Sequence, residues 1–145
     1  MELPPGLRLS VEDKPPPADR NAIERALTAF NRPFLHDPLW ARVGVFVRDN
    51  AGKVQAGLDC EIYARWLFVR SLWVHADLRR RGIGSRLLAT AERRAIECGC
   101  HSAWLDTFSF QAPEFYKKLG YAPFGTIEVP PGHQRIFLQK PLARG

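Results

Sequence analysis

Residues 74–88 read VHADLRRRGIGSRLL: the end of an apolar run, three consecutive arginines, Gly82-Ile83-Gly84, then the start of a second apolar pattern. Upstream, Trp66–His75 (WLFVRSLWVH) is apolar on both faces, as a central strand covered on both sides would be. Downstream, Ile83, Leu87, Leu88, Ala91 and Ala95 recur at helical spacing, and Gly99 is placed to stop the helix. A strand therefore runs into a glycine-bearing turn and on into a helix. The start of a helix exposes unpaired N–H groups and carries partial positive charge. Glycine lets an anion approach the backbone, and arginine adds charge-assisted hydrogen bonds. Together these suit a phosphate group. A solvated basic turn and a nucleic-acid contact are the other two readings of so dense a charge. The pattern is neither a Walker A loop nor the dinucleotide fingerprint, because it lacks the G-K-[ST] ending of the one and the third glycine of the other.

On either side the chain alternates short elements. Leu7–Glu12 (LRLSVE) alternates apolar and polar and reads as a strand. After a proline-rich connector, Asp19 is placed to cap a helix whose apolar residues are Ala22, Ile23, Ala26, Leu27 and Phe30, with Pro33 limiting it. ARVGVFVRD and KVQAGLDCEIY flank Asp49-Asn50-Ala51-Gly52, a hairpin signal. SAWLDTF, 102–108, reads as a strand. Pro113 opens a short helix with Ala112, Phe115, Tyr116 and Leu119 on its apolar side and Gly120 closing it. YAPFGTIEV and QRIFLQKPL are two more strands around the loop PPGH. The order β, α, several strands, α, β, α, β, β predicts an α/β or α+β domain with a mixed sheet, one domain over residues 1–145.

Composition bounds the function. The 145 residues suit one core, with 46% apolar and 25% charged residues. No apolar run approaches the roughly 20 residues needed to span a bilayer, and the N-terminus carries no signal pattern, so no membrane partner and a cytoplasmic location are expected. Three cysteines, Cys60, Cys98 and Cys100, argue against a disulfide framework and match no common zinc spacing, so no metal is expected. The net charge of +6 favours anionic partners. No aromatic-plus-basic stripe or DNA-binding motif accompanies the arginines, which sets nucleic acid aside.

The segment LWVHADLRRRGIGSRLL resembles the acetyl-CoA motif of the GNAT N-acetyltransferases, [RQ]-x-x-G-x-[GA] between a strand and a helix, with Arg79, Gly82 and Gly84 at its defining positions. Further on, APEFYKKLGY resembles the second family motif, A-x-x-F-Y-x-K-x-G-F: Ala112, Phe115, Tyr116, Lys118 and Gly120 match, and Tyr121 replaces the usual Phe. The resemblance implies a GNAT-like fold, a mixed sheet of about six to seven strands splayed at the cofactor cleft and flanked by helices. It implies acetyl-CoA as co-substrate, an amine as acceptor, direct attack without a covalent enzyme intermediate or a metal, and a homodimer by analogy.

The same resemblance assigns roles. The pyrophosphate would lie on backbone N–H groups from Arg80 through Arg81, Gly82, Ile83 and Gly84 to Ser85. The pantetheine arm would pair with Leu72, Trp73 and Val74 as an extra strand, and an N–H of that strand would polarise the acetyl carbonyl. Phe115 and Lys118 belong to the same cofactor set, as does Ser109, which stands where the family often has Asn. Tyr116 would protonate the leaving thiolate, since its ordinary pKa near 10 keeps it protonated at neutral pH. Asp59, Glu61 and Tyr63 alternate along a strand and share one face. Apart from the resemblance, if that face lines the acceptor cleft, Glu61 is the expected proton acceptor for the amine, and if it faces solvent the residues are a polar surface; Asp106 is a second acidic candidate or a structural one. The chain leaves no room for an added recognition domain, which favours a small-molecule acceptor over a protein amine or a non-catalytic acyl-CoA-binding role.

Overall fold

The first hairpin forms around the side chain of Asp49, whose Oδ1 accepts from the N–H groups of Ala51 (2.9 Å) and Lys53 (3.0 Å). Gly52 supplies the left-handed residue, at φ +84°. This turn joins β1 (Ala41–Arg48) to β2 (Val54–Tyr63). A two-residue break, Ala64-Arg65, both at positive φ, joins β2 to β3 (Trp66–Val74). Then follow a single 3₁₀ turn at Ala76–Leu78, α2 (Ile83–Glu97), β4 (Ser102–Phe108), α3 (Pro113–Lys118), β5 (Ala122–Val129) and β6 (His133–Pro141). The six strands lie in the order β1-β2-β3-β4-β6-β5. Only β3 and β4 run parallel, as their connection through α2 requires. The mixed sheet and its helices match the fold class expected from the sequence.

The computed structural model describes residues 2–142, and the chain divides into two compact units, one up to Asp37 and one from Pro38. The first unit contains α1 (Pro17–Asn31), which starts with proline at its first turn, has Pro16 rather than Asp19 at the N-cap, and ends before Pro33. The strand expected at Leu7–Glu12 is absent: these residues pair with no strand and Leu9 and Val11 are exposed. Alternation over six residues offers a face to bury, but a strand also needs a ladder partner to take its N–H and C=O groups. Among the described residues no helix is long and apolar enough to cross a membrane.

The core of the second unit lies on one face of the sheet. Leu58, Ile62, Leu67 and Leu105 are buried there with Leu88 and Ala91 of α2. Both helices end in Schellman motifs: Cys100 N–H donates to Ala95 O (2.9 Å) beyond α2, and Tyr121 N–H to Tyr116 O (3.1 Å) beyond α3, with Gly99 and Gly120 left-handed. A half-buried polar tie joins α2 to Tyr121, just past α3, and to β6. Tyr121 Oη donates to Glu92 Oε2 at 2.8 Å, and Lys140 Nζ donates to Glu92 Oε1 at 2.9 Å. On the opposite face Phe68 stacks on Trp104 with ring centroids 4.1 Å apart. The Phe46 ring lies over Gly44 and Gly57, where any Cβ would approach it within 3 Å.

Candidate active site

The ladder between β3 and β4 stops early. Cα partners run from Trp66↔Ser102 to Val69↔Leu105 and no further. One residue later the register of β3 on β2 shifts, with Cys60 opposite Val69 and Asp59 opposite Ser71. Arg70 is the extra residue of a bulge, and a bulge bends its strand. From there β3 follows β2 while β4 follows β6, and a cleft of about 1090 Å³ opens between the two strands. This corrects the expectation of a strand covered on both sides throughout. Leu67 and Val69 are buried, but beyond the bulge Trp73 is half exposed.

The free edge of β3 has a defined polarity. His75 N–H donates to Gln55 O on β2 at 2.9 Å. Backbone groups alternate sides along a strand, so Trp73 and Ser71 also point to β2, and Leu72 and Val74 point into the cleft. Arg79 Nε donates to Val74 O at 3.2 Å and closes that carbonyl. The groups left open are the N–H of Val74 and both groups of Leu72. Trp73, expected to pair through its backbone, contributes its side chain to the wall instead.

The turn after β3 forms the next wall. Arg80 has φ +64° and Gly82 φ +76°. Such alternation turns successive N–H groups toward one concavity. Gly82 is the N-cap of α2, with no side-chain cap and no acidic residue in the first turn, so the N–H groups there are unpaired within the helix. Arg79, Arg80, Gly82, Ile83, Gly84 and Ser85 line the cleft; Arg81 does not. The two glycines have different reasons. Gly82 is needed for its backbone angle, since a Cβ there would meet nothing within 4 Å. At Gly84 a Cβ would come 3.1 Å from Phe115 Cζ, so that glycine lets α3 pack against α2.

The third wall is α3 and the loop before it. Phe115, Tyr116 and Lys118 line the cleft. Tyr116 is buried, edge-on to Phe115 at 5.1 Å and to Tyr121 at 6.1 Å. Burial first, and then the negative charge of Asp106, push its phenol above the ordinary value of 10. The phenol therefore stays protonated at neutral pH. Ser109, in contrast, is not in the wall. Its N–H donates to Gln134 O (2.8 Å) and its Oγ accepts from Gln134 N–H (3.0 Å), which ties it to β6. Two residues on, Gln111 lines the cleft in its place.

The acidic candidates separate likewise. Glu61 is outside the wall, its Oε1 accepting from Arg70 Nη2 at 2.6 Å. Asp106, the first residue of β4 past the fork, lines the cleft while its Oδ1 accepts from Arg135 Nε at 2.8 Å. The alternation that placed Glu61 on a shared face with Asp59 is present, but that face belongs to β2, one strand away from the fork. Gln111 does not stand out in the sequence, because its place in the cleft wall depends on where β3 leaves β4, a feature no residue pattern announces. Among the described residues no three His, Cys, Asp or Glu side chains are grouped as metal ligands.

Residues 10–121 match the sequence pattern of the Acetyltransferase (GNAT) family. The chain is 43% identical over 93 residues to blasticidin-S acetyltransferase of Streptomyces morookaense, across 63% of this chain and 68% of that protein. It is 30% identical over 106 residues to an acetyltransferase of Agrobacterium fabrum, across 73% and 77% respectively. The crystal structure of an acetyltransferase from Bacillus cereus superimposes with a TM-score of 0.79 at 35% identity, covering 92% of this chain and 98% of that one.

Proposed function

The chain belongs to the GNAT family and is an acetyl-transferring enzyme, and from that premise we propose that it moves the acetyl group of acetyl-CoA to the primary amine of a small molecule. The observation that carries this reading is the fork: an open strand edge, an uncapped helix start and a protonated tyrosine share one cleft. The residues present fit the carrier. The N–H groups of the Arg80–Ser85 segment suit its pyrophosphate, and the free edge of β3 at Leu72 and Val74 suits an amide-bearing arm added as a strand.

Acetyl-CoA supplies the activated acetyl group, and the protein supplies positions and protons. The arm takes the C=O of Leu72 and the N–H of Val74, which leaves the N–H of Leu72, nearer the bulge, to polarise the acetyl carbonyl. Tyr116 holds a proton for the departing sulfur. Asp106, kept in place by Arg135, receives the proton of the attacking amine, the role expected of Glu61. Glu61 instead holds Arg70 at the bulge. A relative that acetylates blasticidin S supports a small antibiotic-like amine as acceptor. A cytoplasmic location and a homodimer are parts of the same reading, carried by the family resemblance.

The test is a screen of diverse amines with acetyl-CoA, reading thiol release. Turnover on at least one amine is expected. Tyr116→Phe and Asp106→Asn should each lower kcat by about 10²-fold or more, the ordinary contribution of general acid–base catalysis. Glu61→Gln should change it far less. CoA binding with no turnover on any amine, or unchanged turnover in Tyr116→Phe, defeats the reading.

A further inference from the structure

Past the fork, the edge of β4 that faces the cleft does not stand open as the edge of β3 does. Ser109 N–H donates to Gln134 O on β6. By alternation the N–H of Phe108, one residue earlier, points the other way, into the gap that β3 has left. Gln111 closes it: its Oε1 accepts from Phe108 N–H at 2.8 Å and from Thr107 Oγ1 at 3.2 Å. A backbone N–H can only donate, so it identifies that atom as the amide oxygen, and the Thr107 hydroxyl is a second donor that holds it. The Nε2 of Gln111 is then the group left over. Among the described residues it has no protein acceptor, and Gln111 lines the cleft.

We propose that Gln111 is a binding residue: its Nε2 donates to a carbonyl oxygen of an extended amide chain lying between β3 and β4, the pantetheine arm of the acyl carrier. The proposal rests on the acetyl-CoA reading above. An extended chain added to the edge of β3 satisfies one side of its backbone with Leu72 and Val74. Its other side faces β4, where the strand's own donor at Phe108 is already taken. A carbonyl on that side meets no strand and finds a side-chain amide held in place by two bonds. The donor is preorganised, so no rotamer freedom is lost when it is used. Gln111 thereby does for the β4 side what the strand edge does for the β3 side.

The experiment measures by calorimetry the affinity for CoA and for adenosine 3′,5′-bisphosphate, which carries phosphates but no amide arm. Two variants separate donation from loop support. Gln111→Ala removes both functions, whereas Gln111→Glu keeps an oxygen for Phe108 and Thr107 but loses the N–H donors. The readout is the ratio of the two affinities, in which any charge effect of the glutamate on phosphate binding cancels. The ratio should fall by about 3- to 10-fold in both variants, the usual value of one neutral hydrogen bond. A fall in only one variant, or in neither, overturns the proposal. A wild-type protein that does not bind CoA overturns the acetyl-CoA reading itself and the proposal with it.

Discussion

Gly82 is where backbone angle and ligand charge can be separated by two substitutions. Its φ is +76°, and a Cβ there would touch nothing within 4 Å. Gly82→Ala therefore costs left-handed strain and no clash, about 1–2 kcal/mol. Gly82→Asp costs less strain, because Asp tolerates that conformation better than Ala. It adds a carboxylate at the N-cap of α2, over unpaired first-turn N–H groups. At about 5 Å from a phosphate, with an effective dielectric of about 20, each pair of unit charges repels by about 3 kcal/mol. That corresponds to about 100-fold in affinity. The two variants should thus rank oppositely: Gly82→Ala the less stable by thermal unfolding, Gly82→Asp the weaker for CoA by calorimetry. The excess loss in Gly82→Asp should shrink between 0.05 and 0.5 M salt, about where the Debye length falls below the charge separation. A Gly82→Asp variant that binds CoA as well as Gly82→Ala, or whose deficit ignores salt, would place the phosphates elsewhere.

Three further outcomes follow from the packing around the cleft. Gly84→Ala puts a Cβ 3.1 Å from Phe115, whose ring leans on Tyr116. Stability should hold, the helix gaining up to about 1 kcal/mol from Ala, while kcat falls more than CoA affinity; equal losses in both would refute it. Tyr121→Phe removes the donor to Glu92 Oε2 and should cost about 1–3 kcal/mol in denaturant unfolding, with m unchanged. Burial, with the charge of Asp59 adding to it, pushes the Cys60 thiol from 9.0 up to about 12. Above pH 9 the unfolded chain therefore loses this proton and the folded chain does not, so stability falls as pH rises from 9 to 12, by up to about 1.4 kcal/mol per pH unit. Cys60→Ala should remove that share of the slope, and parallel wild-type and variant curves in calorimetric scans would contradict it.

The fold was legible wherever one residue type answers one local need. Asp49 and Gly52 mark a turn that their own side chain and backbone build. The spacing of Leu87, Leu88, Ala91 and Ala95 marks the buried face of α2, and all four are buried. Leu7–Glu12 failed for the complementary reason, since alternation describes a face and says nothing of a partner strand. The helix at Pro17 began two residues before Asp19 because proline at the first helical position needs no N–H partner and sets its own φ.

The motif residues Arg79, Gly82, Gly84, Phe115, Tyr116 and Lys118 line one cleft, but the shape of that cleft was illegible in the sequence, and a single residue explains why. Arg70 is one letter in an apolar run, yet as the extra residue of a bulge it decides where β3 parts from β4. Everything beyond that point changes meaning. Val74 turns its N–H into the cleft, and Trp73, its neighbour, turns its backbone away. Asp106 becomes a wall residue while Glu61, on the next strand, holds Arg70 in place. The arginines divide as well. Arg79 spends its Nε on the Val74 carbonyl, so the motif arginine shapes the strand edge rather than standing free as charge. Arg80 contributes a left-handed backbone to the concavity, and Arg81 lies off the wall. A basic run that reads as one feature in the sequence occupies three different environments in the fold: a side chain on the strand edge, a left-handed backbone in the concavity, and a residue off the wall.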